Sequence, residues 1–321
     1  MRVTRQPLES AETLAASVAT IGNFDGVHLA HQELIRGVVQ AARYKGLPAV
    51  VLTFDPHPAQ ILAPDRAAKL LTPLDVKIGL IAERGVDLLW ILPFTELVAQ
   101  LSPEEFVRLA LIRALGVREI HVGMNFCFGR NRRGTVELLA GFGQTLSFIV
   151  KVLPMMNVRG EPVSSSRIRA LLEDGKIARA NRLLGRPYGV GGRLTAGEGR
   201  GRRLTVPTLN LGTVEQQLPK TGVYVSRTTL GERQFESVTN VGYKLTFGPH
   251  QLAVESHLLN YSDELNEDRM EIQFLYRLRD ERKFPDSDAL KRQIGKDVER
   301  SVRYFHLWRS FRSRDKGVGR S

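Results

Sequence analysis

Apolar and polar positions follow two different periods in the first half of the chain. Over residues 32–44 and 74–84, apolar side chains fall on one face of a predicted helix. Short continuous apolar runs predict strands at 17–21, 49–54, 88–92 and 119–124. This alternation predicts a parallel sheet with right-handed crossovers and helices on both faces. Ligands of such sheets bind beyond the carboxyl ends of the strands.

Capping residues and periodicity indicate three more helices. Ser102 can cap a helix, Pro103 suits its first turn, and Glu105 completes a capping box. A helical pair is predicted over 166–172 and 176–184. The first half of the chain is therefore predicted to be an α/β domain.

The pattern of the second half is different. From Tyr188 to about Leu278 the apolar runs are short, and Gly, Pro and Asn turns separate them. This spacing predicts a small antiparallel β-barrel. Apolar residues at spacings of four predict a closing helix over 287–305. The strands of the barrel are predicted at 223–229, 235–241, 252–259 and 270–278.

The change of pattern also predicts the domain boundaries. Gly185, Arg186 and Pro187 mark the junction, which gives one domain over 1–186 and a second over 187–308. The remaining residues, 309–321, are basic and are predicted to be a disordered tail.

Composition restricts the class of protein further. The 321 residues include one cysteine, which excludes an intramolecular disulfide and a multi-cysteine metal site. We expect a cytoplasmic protein, because no run of about 18 apolar residues and no secretory signal is present. The 46 Lys and Arg residues against 34 Asp and Glu residues give a net charge of +12. This charge favours anionic partners: nucleic acid, a membrane surface or phosphorylated small molecules.

The first candidate site is the segment 21–32, Ile-Gly-Asn-Phe-Asp-Gly-Val-His-Leu-Ala-His-Gln, where the first strand of the alternating pattern meets the first helix. Gly22 and Gly26 permit a tight turn, and the helix that follows offers free N–H groups to a phosphate. His28 and His31 are three residues apart and can face one polyphosphate. The segment therefore predicts a nucleotide site.

The second candidate site, residues 197–210, lacks the Walker-type P-loop pattern, which occurs nowhere in the chain. Gly197 and Gly201, interleaved with arginines, can surround a polyphosphate. Thr208 and Asn210 are two apart, so on an extended segment both side chains point the same way. Their oxygens suit Mg²⁺ that ATP phosphates also hold.

The first segment resembles the nucleotidyltransferase signature of the bacterial bifunctional riboflavin kinase/FAD synthetases. Residues 122–129 and 163–169 resemble two further motifs of that family, in the same order. The resemblance implies a Rossmann-like nucleotidyltransferase domain that joins FMN to AMP and releases pyrophosphate. It implies that His28 and His31 contact the phosphates and that Asn125 also lies near the reacting phosphate of the flavin. The residues that it implies as ATP contacts are Gly22, Phe24, Asp25, Gly26, Asn125, Ser164, Ser165 and Arg167.

The second half resembles the riboflavin kinases of the same family. The Pro-Thr-x-Asn core stands at 207–210, residues 240–248 are similar to the flavin-kinase loop, and residues 253–259 are similar to the strand that carries the general base. The resemblance implies that Glu255 accepts the proton of the 5′-hydroxyl of riboflavin. It also implies that Arg279, Glu281 and Phe284 bind the flavin. The substrates are then riboflavin, FMN and ATP, with Mg²⁺.

Two alternatives remain open at the level of sequence. Ala30 stands where the family has glycine, so the chain could be a kinase joined to a weakened adenylyltransferase. The basic charge could instead serve nucleic-acid binding. The second alternative lacks a helix-turn-helix or RNP-like aromatic motif, and aromatic content is only 7%. We therefore expect neither nucleic-acid nor membrane partners, and the sequence does not give the oligomeric state.

Overall fold

The computed structural model describes residues 1–195, 208–243, 252–261 and 267–317. It divides into two compact units, Met1–Arg167 and Ile168–Ser321. Each unit is described by itself.

The first unit contains a six-stranded parallel sheet in the order β1-β4-β3-β2-β5-β6. A small antiparallel pair, β7 and β8, follows it. The strands of this unit are β1 Arg2–Thr4, β2 Ser17–Ile21, β3 Ala49–Asp55, β4 Leu88–Pro93, β5 Val117–Gly123, β6 Ile149–Leu153, β7 Asn157–Val158 and β8 Glu161–Pro162.

Helices connect the parallel strands. A π-helical segment, Val107–Ala114, continues α5, and 3₁₀ turns lie at Leu8–Ser10, Pro64–Arg66 and Arg130–Arg132. The capping box at Ser102 and Glu105 is confirmed. The α-helices are α1 Leu29–Lys45, α2 Pro58–Leu62, α3 Leu74–Ala82, α4 Glu96–Gln100, α5 Pro103–Phe106, α6 Val136–Leu146 and α7 Ser165–Glu173, the last of which crosses the division between the units.

Both faces of the sheet are buried, as the alternating pattern predicts. On one face Val50, Leu52 and Trp90 pack with the π-helical segment in a large apolar cluster. On the other face Val51 and Leu89 pack against α1 and α3. Successive strand residues point to opposite faces, so a strand buried on both sides is a continuous apolar run in the sequence.

The order of the strands reverses beside β2. The chain passes from β2 to β3 and β4 on one side, then crosses to β5 and β6 on the other. A crevice forms at such a switch point, because the connections leave β2 and β5 in opposite directions. The segment after β2 carries His28, and the segment after β5 carries Asn125. The topology therefore brings two predicted motifs to the same edge of the sheet.

The second unit contains a closed antiparallel barrel in the order β10-β13-β12-β11-β14-β9, as predicted. Its strands are β9 Tyr188–Thr195, β10 Thr208–Leu211, β11 Gly222–Leu230, β12 Arg233–Tyr243, β13 Leu252–Leu258 and β14 Arg269–Arg279. Its helices are α8 Ile177–Leu184 and α9 Ser287–Gly317.

The barrel interior contains a cluster of buried hydroxyl groups. Hydrogen bonds of 2.7–3.1 Å connect these side chains, which are fully shielded from solvent. On the outer face, Val223, Val225 and Val238 pack against Phe305 of α9. The helix thus covers part of the outer wall. The five hydroxyl groups belong to Ser226, Thr228, Ser237, Thr239 and Ser256.

Two predicted boundaries differ from the structure. The units divide after Arg167, earlier than the predicted junction at 186, because α8 packs with the barrel: the Asn181 amide donates to the carbonyl of Phe274 (2.8 Å). The predicted disordered tail from 309 is wrong in its first nine residues, because α9 continues to Gly317. Barrel residues contact α9 where this part begins, since the Arg227 guanidinium lies 4.7 Å over the ring of Trp308 and Glu236 pairs with Arg309.

Candidate active sites

The turn between β2 and α1 has an unusual backbone. Phe24, Gly26 and Val27 have positive φ angles of 48°, 85° and 38°. Glycine adopts this region freely, but each of the other two costs about 1–3 kcal/mol. Burial stabilises them in part, because Phe24 and Val27 are fully buried in the cluster beneath the turn. The predicted tight turn is present, with strain at two residues that are not glycine.

The Asp25 side chain fixes the turn to a neighbouring segment. Its carboxylate accepts hydrogen bonds from the backbone N–H groups of Leu71 (3.0 Å) and Thr72 (3.1 Å), and the residue is 2% exposed. The hydroxyl of Ser165 donates to the carbonyl oxygen of Asp25 at 2.8 Å. Asp25 was predicted as an ATP contact, but its carboxylate faces the backbone of 71–72 and stabilises the turn. Ser165, predicted from a distant motif, lies at the same turn.

His28 and His31 lie together at the start of α1. The Nδ1 atom of His28 accepts the backbone N–H of His31 at 3.3 Å, so His28 is the N-cap of the helix. The two imidazole rings stack with centroids 3.6 Å apart. Since Nδ1 of His28 is an acceptor, its proton is on Nε2. Both rings are therefore fixed where the helix presents its free N–H groups.

The environment of His31 favours its neutral form. Burial lowers the pKa of His31 well below its ordinary value, and the neighbouring His28 and Lys77 lower this pKa further. Its Nδ1 atom is buried and has no hydrogen-bond partner among the residues that the structure describes. A buried polar atom without a partner is costly, and a bound ligand can satisfy it.

Ala30 occupies a helical position in α1, and its φ is not among the positive values. The extra methyl group therefore introduces no left-handed strain at this position, where the family has glycine. The structure gives no support to a weakened adenylyltransferase.

Three further predicted residues follow neighbouring elements. Asn125 is exposed just beyond the end of β5, next to the stacked rings of Phe126 and Phe128 (centroids 5.4 Å apart). The Ser164 hydroxyl accepts the backbone N–H of Arg167 at 3.2 Å, as an N-cap of α7 does. The Arg167 guanidinium binds Glu161 through two contacts of 2.9 and 2.5 Å. Arg167 is thus held by a carboxylate, where the resemblance implied ATP.

In the barrel, strand register brings predicted kinase residues into one row. Glu255 of β13 is the register partner of Asn210 on β10 and of Asn240 on β12. Register partners lie on the same side of a sheet. Because Ser256 points into the barrel, its neighbour Glu255 and the whole row point outward. The row continues through Val223 to Arg279.

Arg279 is held by a residue that the sequence did not indicate. Its guanidinium binds both carboxylate oxygens of Asp297, at 2.8 to 3.2 Å, and Asp297 is 2% exposed. The ring of Phe284 lies 5.8 Å from the same guanidinium. Arg279 was predicted to bind flavin, but the bidentate pair occupies its donor fork. The ion pair joins the end of β14 to α9.

Glu281 lies close to Glu255. Burial raises the pKa of Glu281, the backbone N–H of Tyr243 and the charge of Arg279 lower this pKa, and the charge of Glu255 raises it. Gly242 contributes space, since a Cβ atom there would collide with the Glu281 carboxylate. The predicted flavin contact thus belongs to the surroundings of the predicted general base.

Two of the remaining predicted residues of the kinase site lie on β10. Thr208 is exposed on β10, and Asn210, two residues further, is 6% exposed. Gly197 and Gly201 lie outside the described residues. Within the described parts of the chain, no group of three or more His, Cys, Asp or Glu residues could hold a metal ion.

Fold and predicted residues together define a two-domain protein with one candidate site on an α/β unit and one on a β-barrel unit. Two protein-family models match the two halves of the chain. The family described as FAD synthetase matches residues 10–167, and the family described as riboflavin kinase matches residues 184–305. No helix in the described parts of the chain is long and apolar enough to cross a membrane.

Similar proteins cover nearly the whole chain. The bifunctional riboflavin kinase/FMN adenylyltransferase of Bacillus subtilis is 36% identical over 92% of this chain and 94% of its own length. The protein of the same description from Escherichia coli K12 is 34% identical over 90% of this chain and 93% of its own length. The chain belongs to the bifunctional riboflavin kinase/FMN adenylyltransferase family and is an enzyme with both domains of that family.

A solved structure has the same fold. It is described as a macrolide-efflux protein from Streptococcus pneumoniae, with a TM-score of 0.85 and 28% sequence identity. The match covers 94% of this chain and 98% of the other. The two-unit architecture therefore exists in an experimentally determined structure.

Proposed function

We propose that the barrel unit phosphorylates riboflavin to FMN with ATP, and that the first unit joins FMN to AMP from a second ATP, giving FAD and pyrophosphate. The observation that carries this proposal is the position of the carboxylates in the two sites. Glu255 stands in an outward-facing row with Asn210 and Asn240. In the first unit, the carboxylate of the nucleotide-binding turn accepts backbone hydrogen bonds.

The kinase reaction requires such a base. The Glu255 carboxylate accepts the proton of the 5′-hydroxyl of riboflavin while that oxygen bonds to the γ-phosphorus of ATP. The bond between the γ-phosphorus and the bridging oxygen breaks, and ADP leaves. Asn210 and Asn240 flank the base on the neighbouring strands. The charge of Glu255 raises the pKa of Glu281, so a second carboxylate lies near enough to the base to interact with it.

Mg²⁺ fits the residues of this site. Thr208 and Asn210 offer one hydroxyl and one amide oxygen on the same face of β10, a set suited to an ion that is carried mainly by ATP phosphates. When bound, Mg²⁺ neutralises charge on the phosphates of ATP.

The adenylyl transfer has a different requirement. A phosphate oxygen of FMN already carries negative charge, so it can attack the α-phosphorus of ATP without a base, and pyrophosphate leaves. His28 and His31 are placed to hydrogen-bond to the phosphates at the N-terminus of α1. Asn125 approaches from the end of β5, on the other side of the switch point. Catalysis here consists of positioning and charge stabilisation.

A single assay tests both halves. Purified protein is incubated with riboflavin, ATP and Mg²⁺, and the flavins are separated over time by chromatography. We expect FMN to form first and FAD to follow with release of pyrophosphate. FMN without any FAD would refute the proposal for the first unit, and the A30G variant would then show whether the methyl group of Ala30 is the cause. No conversion of riboflavin would refute the proposal for the barrel.

A further inference from the structure

Lys77 has an unusual position for a lysine. It lies on α3 and is only 3% exposed. Lysine is seldom buried to this extent, because loss of water penalises the ammonium group. Burial accordingly lowers the pKa of Lys77, while the charges of Asp25 and Asp55 raise it. A buried cation beside a nucleotide-binding turn suggests a specific role.

The ammonium group of Lys77 contacts the first part of that turn. Nζ donates to the carbonyl oxygen of Asn23 at 2.9 Å, and the hydroxyl of Thr53 donates to the same oxygen at 3.3 Å. Asn23 immediately precedes Phe24, the first residue with a positive φ. Two donors on one carbonyl therefore fix the orientation of the peptide plane at which the strained backbone begins.

Packing supports the same role. Leu74, Ile78 and Ile81 of α3 belong to the apolar cluster that contains Phe24 and Val27. The helix that carries Lys77 thus shares one apolar cluster with both strained residues. Lys77 also lies close enough to His31 for its charge to lower the pKa of that histidine. The lysine connects the shape of the turn with the protonation of the imidazole.

The hydrogen-bonding capacity of Lys77 is only partly used. An ammonium group has three protons. The carbonyl of Asn23 takes one, and no second acceptor is found among the residues that the structure describes. A positive charge directly behind the turn favours a polyanion in front of it.

We propose that Lys77 is a positioning residue of the adenylyltransferase site. It holds the carbonyl of Asn23 so that the turn keeps its strained conformation, and it places a buried positive charge behind His31. His31 then faces the triphosphate as a neutral hydrogen-bonding group. This inference rests on the proposed function of the first unit.

The principal test is the K77M variant, which keeps length and removes charge. We expect kcat/KM for FAD formation to fall about 100-fold, since a small misplacement of positioning groups has that effect. K77R should recover part of the loss because it restores the charge and a donor. The kinase activity of the same molecules is an internal control and should not change.

A matched control and a second variant separate positioning from stability. Lys45 pairs with the buried Glu119 at 3.3 Å, so K45M also removes a partly buried lysine from the first unit, but away from the turn. Thermal unfolding is measured for both variants. T53V removes the second donor to the carbonyl of Asn23 and keeps the shape, so it should lower FAD formation in the same direction by less. The inference is wrong if K45M and K77M reduce FAD formation equally.

Hydrogen exchange gives a measurement that does not depend on activity. The amides of residues 22–28 should exchange faster in K77M and T53V than in the wild type, and K45M should leave them unchanged. If the wild type forms no FAD, the proposed function of the first unit fails, and this exchange pattern still decides whether Lys77 holds the turn. Unchanged exchange in K77M would overturn the inference.

Discussion

The two candidate sites are built in opposite ways. In the first unit, neighbours in sequence form the centre of the site: the turn, the cap and both histidines lie within residues 22–31. In the barrel, Asn210, Asn240, Glu255 and Arg279 are far apart along the chain, and strand register aligns them. One site depends on local backbone conformation and the other on the pairing of strands.

The difference matches the chemistry. A phosphate nucleophile needs orientation and positive surroundings, which a helix N-terminus and a strained turn supply over a few residues. An alcohol must also lose a proton, so the kinase needs a base held at a fixed position relative to other groups. A row across several strands fixes that position, because every strand pairs with two others in a closed barrel. The following changes test this contrast, from the largest expected effect to the smallest.

Removal of the base should separate the activities most clearly. In E255Q we expect kinase activity to fall by about 10²–10⁴-fold, the usual contribution of a general base. Conversion of FMN to FAD should persist. The rates are measured separately with riboflavin and with FMN as the substrate. E271Q, which changes an exposed glutamate on β14, is the matched control. Loss of both activities in E255Q would contradict separate sites.

Removal of the capping histidine should give the reverse pattern. In H28A we expect FAD formation to fall by about 10²–10³-fold, because a preorganised donor to the phosphates is lost. Kinase activity should stay unchanged. H28N keeps an acceptor at the N-cap and so preserves the start of the helix. If H28N is fully active in FAD formation, His28 serves the helix and not the reaction.

A methyl group can test the crowded edge of the barrel site. In G242A, the new Cβ would collide with the Glu281 carboxylate, so one of them must move. The carboxylate ends a flexible side chain and can turn away at little cost in stability, so we expect kinase activity to fall about tenfold because this group is displaced. In G295A the new Cβ meets open space within α9, and that variant should be as active as the wild type. Equal activity of both variants would exclude Glu281 from the site.

The smallest predicted effect concerns pH and the stability of the first unit. The pKa of His31 is lowered in the folded protein, so the unfolded chain binds a proton first as the pH falls. The contribution of neutral His31 to stability is therefore present above about pH 6.5 and decreases below it. Urea unfolding at pH 7.5 and 5.5 measures this, with H31Q as the control that should show a weaker pH dependence.

Trp90 provides the signal for that experiment. It is one of two tryptophans and is 2% exposed in the first unit, whereas Trp308 lies on α9. In a W308F background, fluorescence reports the first unit alone. An identical pH dependence in the presence and absence of His31 would show that its neutral state is not linked to folding.

Local patterns predicted much of the molecule. The predicted strand at 17–21 and the helix over 74–84 agree with β2 and, within two residues, with α3. Other elements were missed: β1, β6 and α6 were not predicted, and α9 extends beyond its predicted end. The edge strand β6 is partly exposed and lacks a fully buried run, so its pattern is weak. Contacts with Arg227 and Glu236 extend α9, and these partners are distant in sequence.

The sequence by itself determined the two-domain division in outline, the helix caps and the residue types of both sites. These depend on a residue and its near neighbours, whose conformational and chemical preferences act over a few positions. Only the tertiary structure decided that Asp25 stabilises the backbone at 71–72, that Asp297 holds Arg279, and that Lys77 lies behind the turn. Each of these contacts joins residues that are 18 to 54 positions apart in the sequence. Such residues meet only after the helices and strands have packed together, so local sequence preferences do not determine the contacts.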